Sequence, residues 1–145
     1  MHTSRLLAIG LAVAGIGALA RFEPMTMAVG LDGSCELMHL AQLFVVNMPL
    51  FGPGLRVAPS ADPADGLLDV VALEGSSRRS LLPLAASLRR GTHLDRDGAR
   101  AFRAEKVRIS TRGASPVIAD TSNLGSGTVE LTVAPQALEL VGRAA

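Results

Sequence analysis

Two carboxylates three residues apart, Asp62 and Asp65, stand in Asp62-Pro63-Ala64-Asp65-Gly66, a stretch that Pro63 and Gly66 force to bend. Such a bend can aim side-chain and main-chain oxygens at one point, and a hard cation such as Mg²⁺ or Ca²⁺ takes oxygen ligands of that kind. Asp-Pro and Asp-Gly pairs are also ordinary turn chemistry, so a turn and a cation site are two readings of the same five residues. A second polar group, His93, Asp95, Arg96 and Asp97, lies in residues 91–104, GTHLDRDGARAFRA. Without apolar periodicity that segment reads as a solvated connection. The three histidines are too dispersed to make a metal cluster. Gly15-x-Gly17-x-x-Ala20 follows an apolar run, but nothing after it reads as the strand-helix-strand unit that a dinucleotide loop opens.

The aspartate bend lies inside a loop between two apolar, β-branched runs, Phe44 to Val46 and Leu67 to Leu73. Between them come Gly52, Gly54, Gly66 and four prolines, a density of breakers that only loops and bulges use. Upstream, Met25 to Leu31 alternates large apolar with small or polar residues, and Asp32-Gly33 turns tightly into Ser34 to Val46, which is a hairpin signal. Downstream, Ser77 precedes Leu81, Leu82, Ala85 and Leu88 on one helical face, and Gly91 follows. Residues 77–90 therefore read as an amphipathic helix with an N-cap and a stop, with Pro83 uncomfortably far inside. The last third predicts short strands at residues 105–111, 116–120, 128–133 and 138–141.

Residues 6–20, LLAIGLAVAGIGALA, are apolar throughout, preceded by Arg5 and ending in Ala18-Leu19-Ala20, the outline of a secretory signal peptide. At about fifteen residues the run is short of the roughly twenty that a spanning helix needs. A buried helix of a domain is the other reading. The whole is expected to be mainly β: an antiparallel β-sandwich over residues 21–145, with an N-terminal apolar helix over residues 1–20 and one helical insertion at about 77–90.

Composition excludes several partners. The formal net charge is +1, only one of the fourteen basic residues is a lysine, and the arginines pair only at 78–79 and 89–90. A nucleic-acid surface would need more clustering than this, and no Trp or Tyr is present to stack on bases. A single cysteine, Cys35, cannot form an internal disulfide and favours a reducing compartment.

Asn47-Met48-Pro49-Leu50-Phe51-Gly52-Pro53-Gly54, then residues 58–69, APSADPADGLLD, resemble the C-terminal domain of the bacterial diacylglycerol kinase and related lipid kinase family, sphingosine kinases included. The family pattern is an N-x-P-x-(Y/F)-G-G-G loop followed by A-P-x-A-x-x-D-D-G-L-L-D. Arg90-Gly91-Thr92-His93 resembles its R-G-x-H, and residues 133–138, VAPQAL, its V-x-P-x-A-L. The resemblance covers about residues 21–141. It implies the substrate-side half of an ATP-dependent enzyme that phosphorylates a lipid alcohol such as diacylglycerol, with Asn47 and Phe51 on the substrate side. It also implies a magnesium ion held by Asp62, Asp65 and the carbonyl of Leu67. The late D-G-E motif, whose glutamate is the family's general base, falls on Asp120-Thr121-Ser122, so Ser122 stands where the base should be.

The family's nucleotide loop, G-G-D-G-T, is absent from these 145 residues. ATP would therefore come only through a nucleotide-binding domain supplied elsewhere, and the chain is expected to be incomplete or inactive alone. The location so implied is cytoplasmic, with peripheral contact to a membrane and room for a homo-oligomer. The alternative is a secreted or surface β-sandwich binding module, with residues 1–20 as its signal peptide.

Overall fold

The computed structural model describes residues 23–52, 54–75, 78–111, 117–120 and 122–134. The apolar helix expected over residues 1–20 lies outside them, as does the strand expected at 138–141. The described chain is mainly β. Strands β1 (Met25–Leu31), β2 (Ser34–Val46) and β3 (Leu68–Glu74) are followed by helix α1 (Arg78–Leu88) and a short 3-10 turn, His93–Asp95. Then come β4 (Ala99–Ala104), β5 (Lys106–Thr111), a small hairpin of β6 (Ile118–Ala119) and β7 (Ser122–Asn123), and β8 (Thr128–Thr132). Six strands form one antiparallel sheet in the order β4-β3-β2-β1-β5-β8.

That sheet is folded over on itself, and β2 is the fold line. The first half of β2, Ser34 to Leu40, pairs with β1, whereas its second half, Leu40 to Val46, pairs with β3, and the register shifts between Leu40 and Gln42. A bulge of this kind bends a strand and lets it pass from one layer to another. Connectivity gives the same answer. Only Glu105 separates β4 from β5, so Ala104 and Lys106 lie within about 7 Å of each other. In a flat sheet, four strand spacings would hold those two strands roughly 19 Å apart. Two further contacts cross the fold. The Arg100 guanidinium of β4 pairs bidentately with Glu36 of β2 at 2.8 and 3.0 Å. The Asp32 carboxylate, in the β1-β2 turn, accepts the amides of Glu105 at 3.3 Å and Lys106 at 2.8 Å, pinning the junction itself.

The interior between the layers is one cluster: Met27 and Val29 of β1, Met38 and Leu40 of β2, Val70 and Ala72 of β3, Ala104 of β4, and Val107 and Ile109 of β5. Alternate residues of β3, Val71 and Leu73, point the other way into a second cluster. There they meet Leu84 and Leu88 of α1 and Val57, Ala58 and Ala61 of the loop. Strand β3 is thus buried on both faces, which is why it reads in sequence as a continuous apolar run rather than an alternating one.

Three expectations need correction. Of the expected helical face, Leu88 is buried but Leu82 is exposed, and Leu84, four residues before Leu88, is buried in its place. Residues 91–104 are not a solvated connection, because they hold strand β4 and the fully buried His93. The expected strand at 116–120 shrinks to Ile118–Ala119. Helix α1 continues through Pro83 to Leu88, and Gly91, with a φ of +74°, closes the turn after it through its amide to the Leu88 carbonyl at 3.3 Å. A Cβ at position 91 would also lie 3.1 Å from Pro59 and 3.2 Å from Arg56.

Candidate functional site

The aspartate bend is two successive side-chain turns. Asp62 Oδ1 accepts the amide of Ala64 at 2.9 Å, Asp65 Oδ1 accepts the amide of Leu67 at 2.8 Å, and the Asp65 amide donates to the Asp62 carbonyl at 3.3 Å. Asp and Asn side chains favour this local closure because their oxygens reach the backbone two residues on. Gly66 supplies the positive φ of +77° that lets the chain enter β3 directly afterwards.

At the start of β3 the bend meets a charge cluster. Asp69 is cross-strand partner to Arg103 of β4. The Arg103 guanidinium ion-pairs through Nη2 with Asp65 Oδ2, and its Nε lies 3.5 Å from Asp69 Oδ1. Asp69 is buried, its Oδ2 has no partner among the described residues, and burial pushes its carboxyl above the usual aspartate range. One arginine therefore serves two carboxylates, one half-exposed and one buried.

This arrangement does not fit a divalent cation. Magnesium needs near-octahedral oxygen ligands at about 2.0–2.1 Å. Both oxygens of Asp65 are engaged, one by the Leu67 amide and the other by the guanidinium, and Asp62 Oδ1 is engaged by the Ala64 amide. A cation there would share Asp65 with Arg103 and sit beside its positive charge.

The other expected residues are spread along the chain. Asn47 follows β2 immediately, and its side-chain oxygen is buried without a partner among the described residues. Phe51 lies in the next turn, 43% exposed, with its ring edge-on to Phe44 at 5.5 Å. Asp120 and Ser122 belong to the β6-β7 hairpin, where Asp120 is exposed with φ +51°, a left-handed turn conformation. That hairpin continues the β5-β8 end of the sheet: the Thr111 amide donates to the Gly127 carbonyl at 3.1 Å and the Val117 amide to that of Gly125 at 2.8 Å. No hydrogen bond or ion pair among the described residues joins it to the aspartate bend.

Sequence reasoning missed Arg103 altogether, and missed that Asp69 and His93 are buried. One signal was available: a lone aspartate inside the apolar run Leu67 to Leu73 must find a counter-charge when that run is buried. The His93 ring sits among the buried groups beneath α1 with Nε2 2.8 Å from the Val57 carbonyl, and its Nδ1 has no partner among the described residues. Burial holds its pKa below the ordinary imidazole value, and the Val57 carbonyl and Asp95 oppose that only in part. A neutral ring donating from Nε2 is the state this geometry favours, tying the loop to the turn after α1.

Comparison with known proteins agrees with this architecture. Residues 2–142 match the family described as the YegS C-terminal NAD kinase beta sandwich-like domain. The diacylglycerol kinase of Mycobacterium tuberculosis (strain CDC 1551 / Oshkosh) is 31% identical over 130 residues, 89% of this chain and 42% of its own length. The Bacillus subtilis (strain 168) protein YtlR is 28% identical over 124 residues, 85% of this chain and 40% of its own length. Among solved structures, a diacylglycerol kinase from Bacillus anthracis str. Sterne superposes with a TM-score of 0.57 at 16% identity, over 77% of this chain and 40% of that one. The fold and the match over nearly the whole chain define a β-sandwich-like domain of the kind that family description names. The chain belongs to the YegS C-terminal domain family, and it spans about two-fifths of the length of the curated relatives it matches.

Proposed function

We propose that this chain is the substrate-side domain of an ATP-dependent kinase that phosphorylates a lipid alcohol such as diacylglycerol, acting with a nucleotide-binding portion outside these 145 residues. The observation that carries the reading is the similarity, over 89% of the chain, to a protein named diacylglycerol kinase. Phosphoryl transfer rests on cradling the nucleotide phosphates and neutralising their charge. No G-G-D-G-T sequence is present to supply that cradle.

Ser122 occupies the position of the family's base, and a hydroxyl whose pKa lies far above neutral does not take a proton from another alcohol without a partner. Asp120, two residues away, is the acidic group nearest in sequence on the hairpin. On this reading the chain carries the acceptor lipid and transfers phosphate weakly or not at all.

The test is label transfer from ATP to diacylglycerol by the purified chain, with and without a separately expressed nucleotide-binding portion of the mycobacterial relative. The chain alone should give no product. The mixture should give some, and Ser122→Glu should raise it by about a hundredfold, the low end of what a positioned base contributes. Transfer by the chain alone would contradict the proposal, and an active mixture indifferent to Ser122→Glu would remove the base assignment.

A further inference from the structure

Three large apolar side chains crowd the turn after β2: Met48, Leu50 and Phe51 are 60%, 55% and 43% exposed. Four consecutive residues from Met48 to Phe51 that include three such side chains form an unusual surface, since exposed hydrophobics on a globular domain are normally scattered singly. The turn is held in shape. Phe51 and Leu55 exchange backbone hydrogen bonds at 2.8 and 3.2 Å, and the Phe51 ring braces against Phe44. The apolar tip is therefore presented on a fixed base.

Arginines border it. Arg56 directly follows Leu55, and its amide donates to the Leu88 carbonyl at 3.0 Å, which places it beside Arg89 and Arg90 at the end of α1. All three are exposed, and none pairs with a carboxylate among the described residues, whereas Arg100, Arg103, Lys106 and Arg108 all do. In a chain of net charge +1 this is a local excess of three positive charges at the rim of an apolar tip.

We propose that the Met48–Phe51 turn is a membrane-docking wedge, with Met48, Leu50 and Phe51 entering the acyl region of an anionic bilayer while Arg56, Arg89 and Arg90 bind its headgroup phosphates. Guanidinium groups suit this role because their planar forks pair with phosphate oxygens two at a time. The inference deepens the lipid-alcohol reading above and rests on it for choosing a bilayer over a protein partner. It accounts for how a domain with no helix long and apolar enough to cross a membrane, among the described residues, reaches a substrate that resides in one.

The chain contains no tryptophan, so a single one reports its own surroundings. Phe51→Trp, and Leu37→Trp on the exposed outer side of β2 as the control, would be mixed with vesicles of phosphatidylcholine alone or with phosphatidylglycerol. Neither vesicle contains diacylglycerol or needs ATP, so this outcome is independent of whether the chain supports phosphoryl transfer. The expected result is a blue shift at position 51, and quenching there by brominated acyl chains, with the anionic vesicles only and not at position 37. The triple variant Arg56→Gln, Arg89→Gln, Arg90→Gln should partition roughly a hundredfold more weakly with its thermal melt retained, from the attraction each cation has to an anionic surface. Unchanged emission at position 51, equal responses at 51 and 37, or undiminished vesicle binding by the triple variant would each overturn the proposal. So would a change of oligomeric state, in place of vesicle binding, on Met48→Ser/Leu50→Ser.

Discussion

The two stretches that look most like chemistry, residues 62–69 and residues 118–123, are built in opposite ways. In the first, each carboxylate is tied into the fold: Asp62 and Asp65 close their own turns, Arg103 spans Asp65 and Asp69, and Asp69 lies in a strand buried on both faces. In the second, Asp120 in the turn and Ser122 at the start of β7 stand on an exposed hairpin flanked by Ile118 and Leu124, which are 65% and 50% exposed. The contrast teaches that a carboxylate-rich motif can be consumed by the fold, while the residues left free for a partner or substrate sit where the sheet ends. If it is right, substitutions in the first region unfold the protein and substitutions in the second leave it folded.

The largest effect is expected beneath the first region. His93→Ala removes a fully buried ring and its bond to the Val57 carbonyl, and should cost about 2–4 kcal/mol in denaturant melts, by lost packing plus an unsatisfied acceptor. Next, Arg103→Met leaves Asp69 buried without counter-charge and should cost about 2 kcal/mol, less than a fully buried pair because the guanidinium is 47% exposed. The same variant sharpens the metal question. Added magnesium should leave the melting temperature of the parent unchanged and raise that of Arg103→Met, because only the variant frees an oxygen of Asp65.

A smaller effect concerns pH. The folded pKa of His93 lies below its unfolded value near 6.5, so the folded state binds fewer protons, and stability intact above that pH is lost as pH falls through it. Asp69 has the opposite sign. Its folded pKa is raised, so the cost of its charge is present at neutral pH and is relieved as pH falls through that value toward 3.8. Melts taken between about pH 7 and pH 5.5 should therefore flatten for His93→Gln, while the parent should gain on Asp69→Asn only at more acid pH, as the Asp69 carboxyl takes up its proton on the way toward 3.8. Smallest of all, Asp120→Asn, which keeps a residue tolerant of the left-handed φ, and Ser122→Ala should move stability by no more than about 0.5 kcal/mol, as exposed surface changes do. A loss of several times that would show the hairpin to be as built-in as the bend.

Much of the first half was legible because its signals are local. Asp32-Gly33 between two alternating runs placed β1 and β2 with their ends correct, and the breaker-rich loop delimited β3 to within one residue. What could not be read is curvature. Periodicity assigns a side chain to a face but says nothing of a sheet folding over along β2, which becomes evident only when Glu105 is seen to join strands at separate positions in the sheet. Strand β4, ARAFRA, was hidden because alanine and arginine carry no strand preference, and its identity depends on pairing with β3. The aspartates of the site were legible as a bend. Their counter-charge was not, since Arg103 is 38 residues away from Asp65 in sequence and adjacent only across the sheet.

The central claim is that this domain holds the lipid and leaves the nucleotide to a partner. Equilibrium dialysis of the purified chain against a short-chain diacylglycerol and against ATP, in the same buffer, tests it most directly. Saturable uptake of the lipid with no retention of ATP is the predicted result; retention of ATP, or no uptake of the lipid, would contradict it.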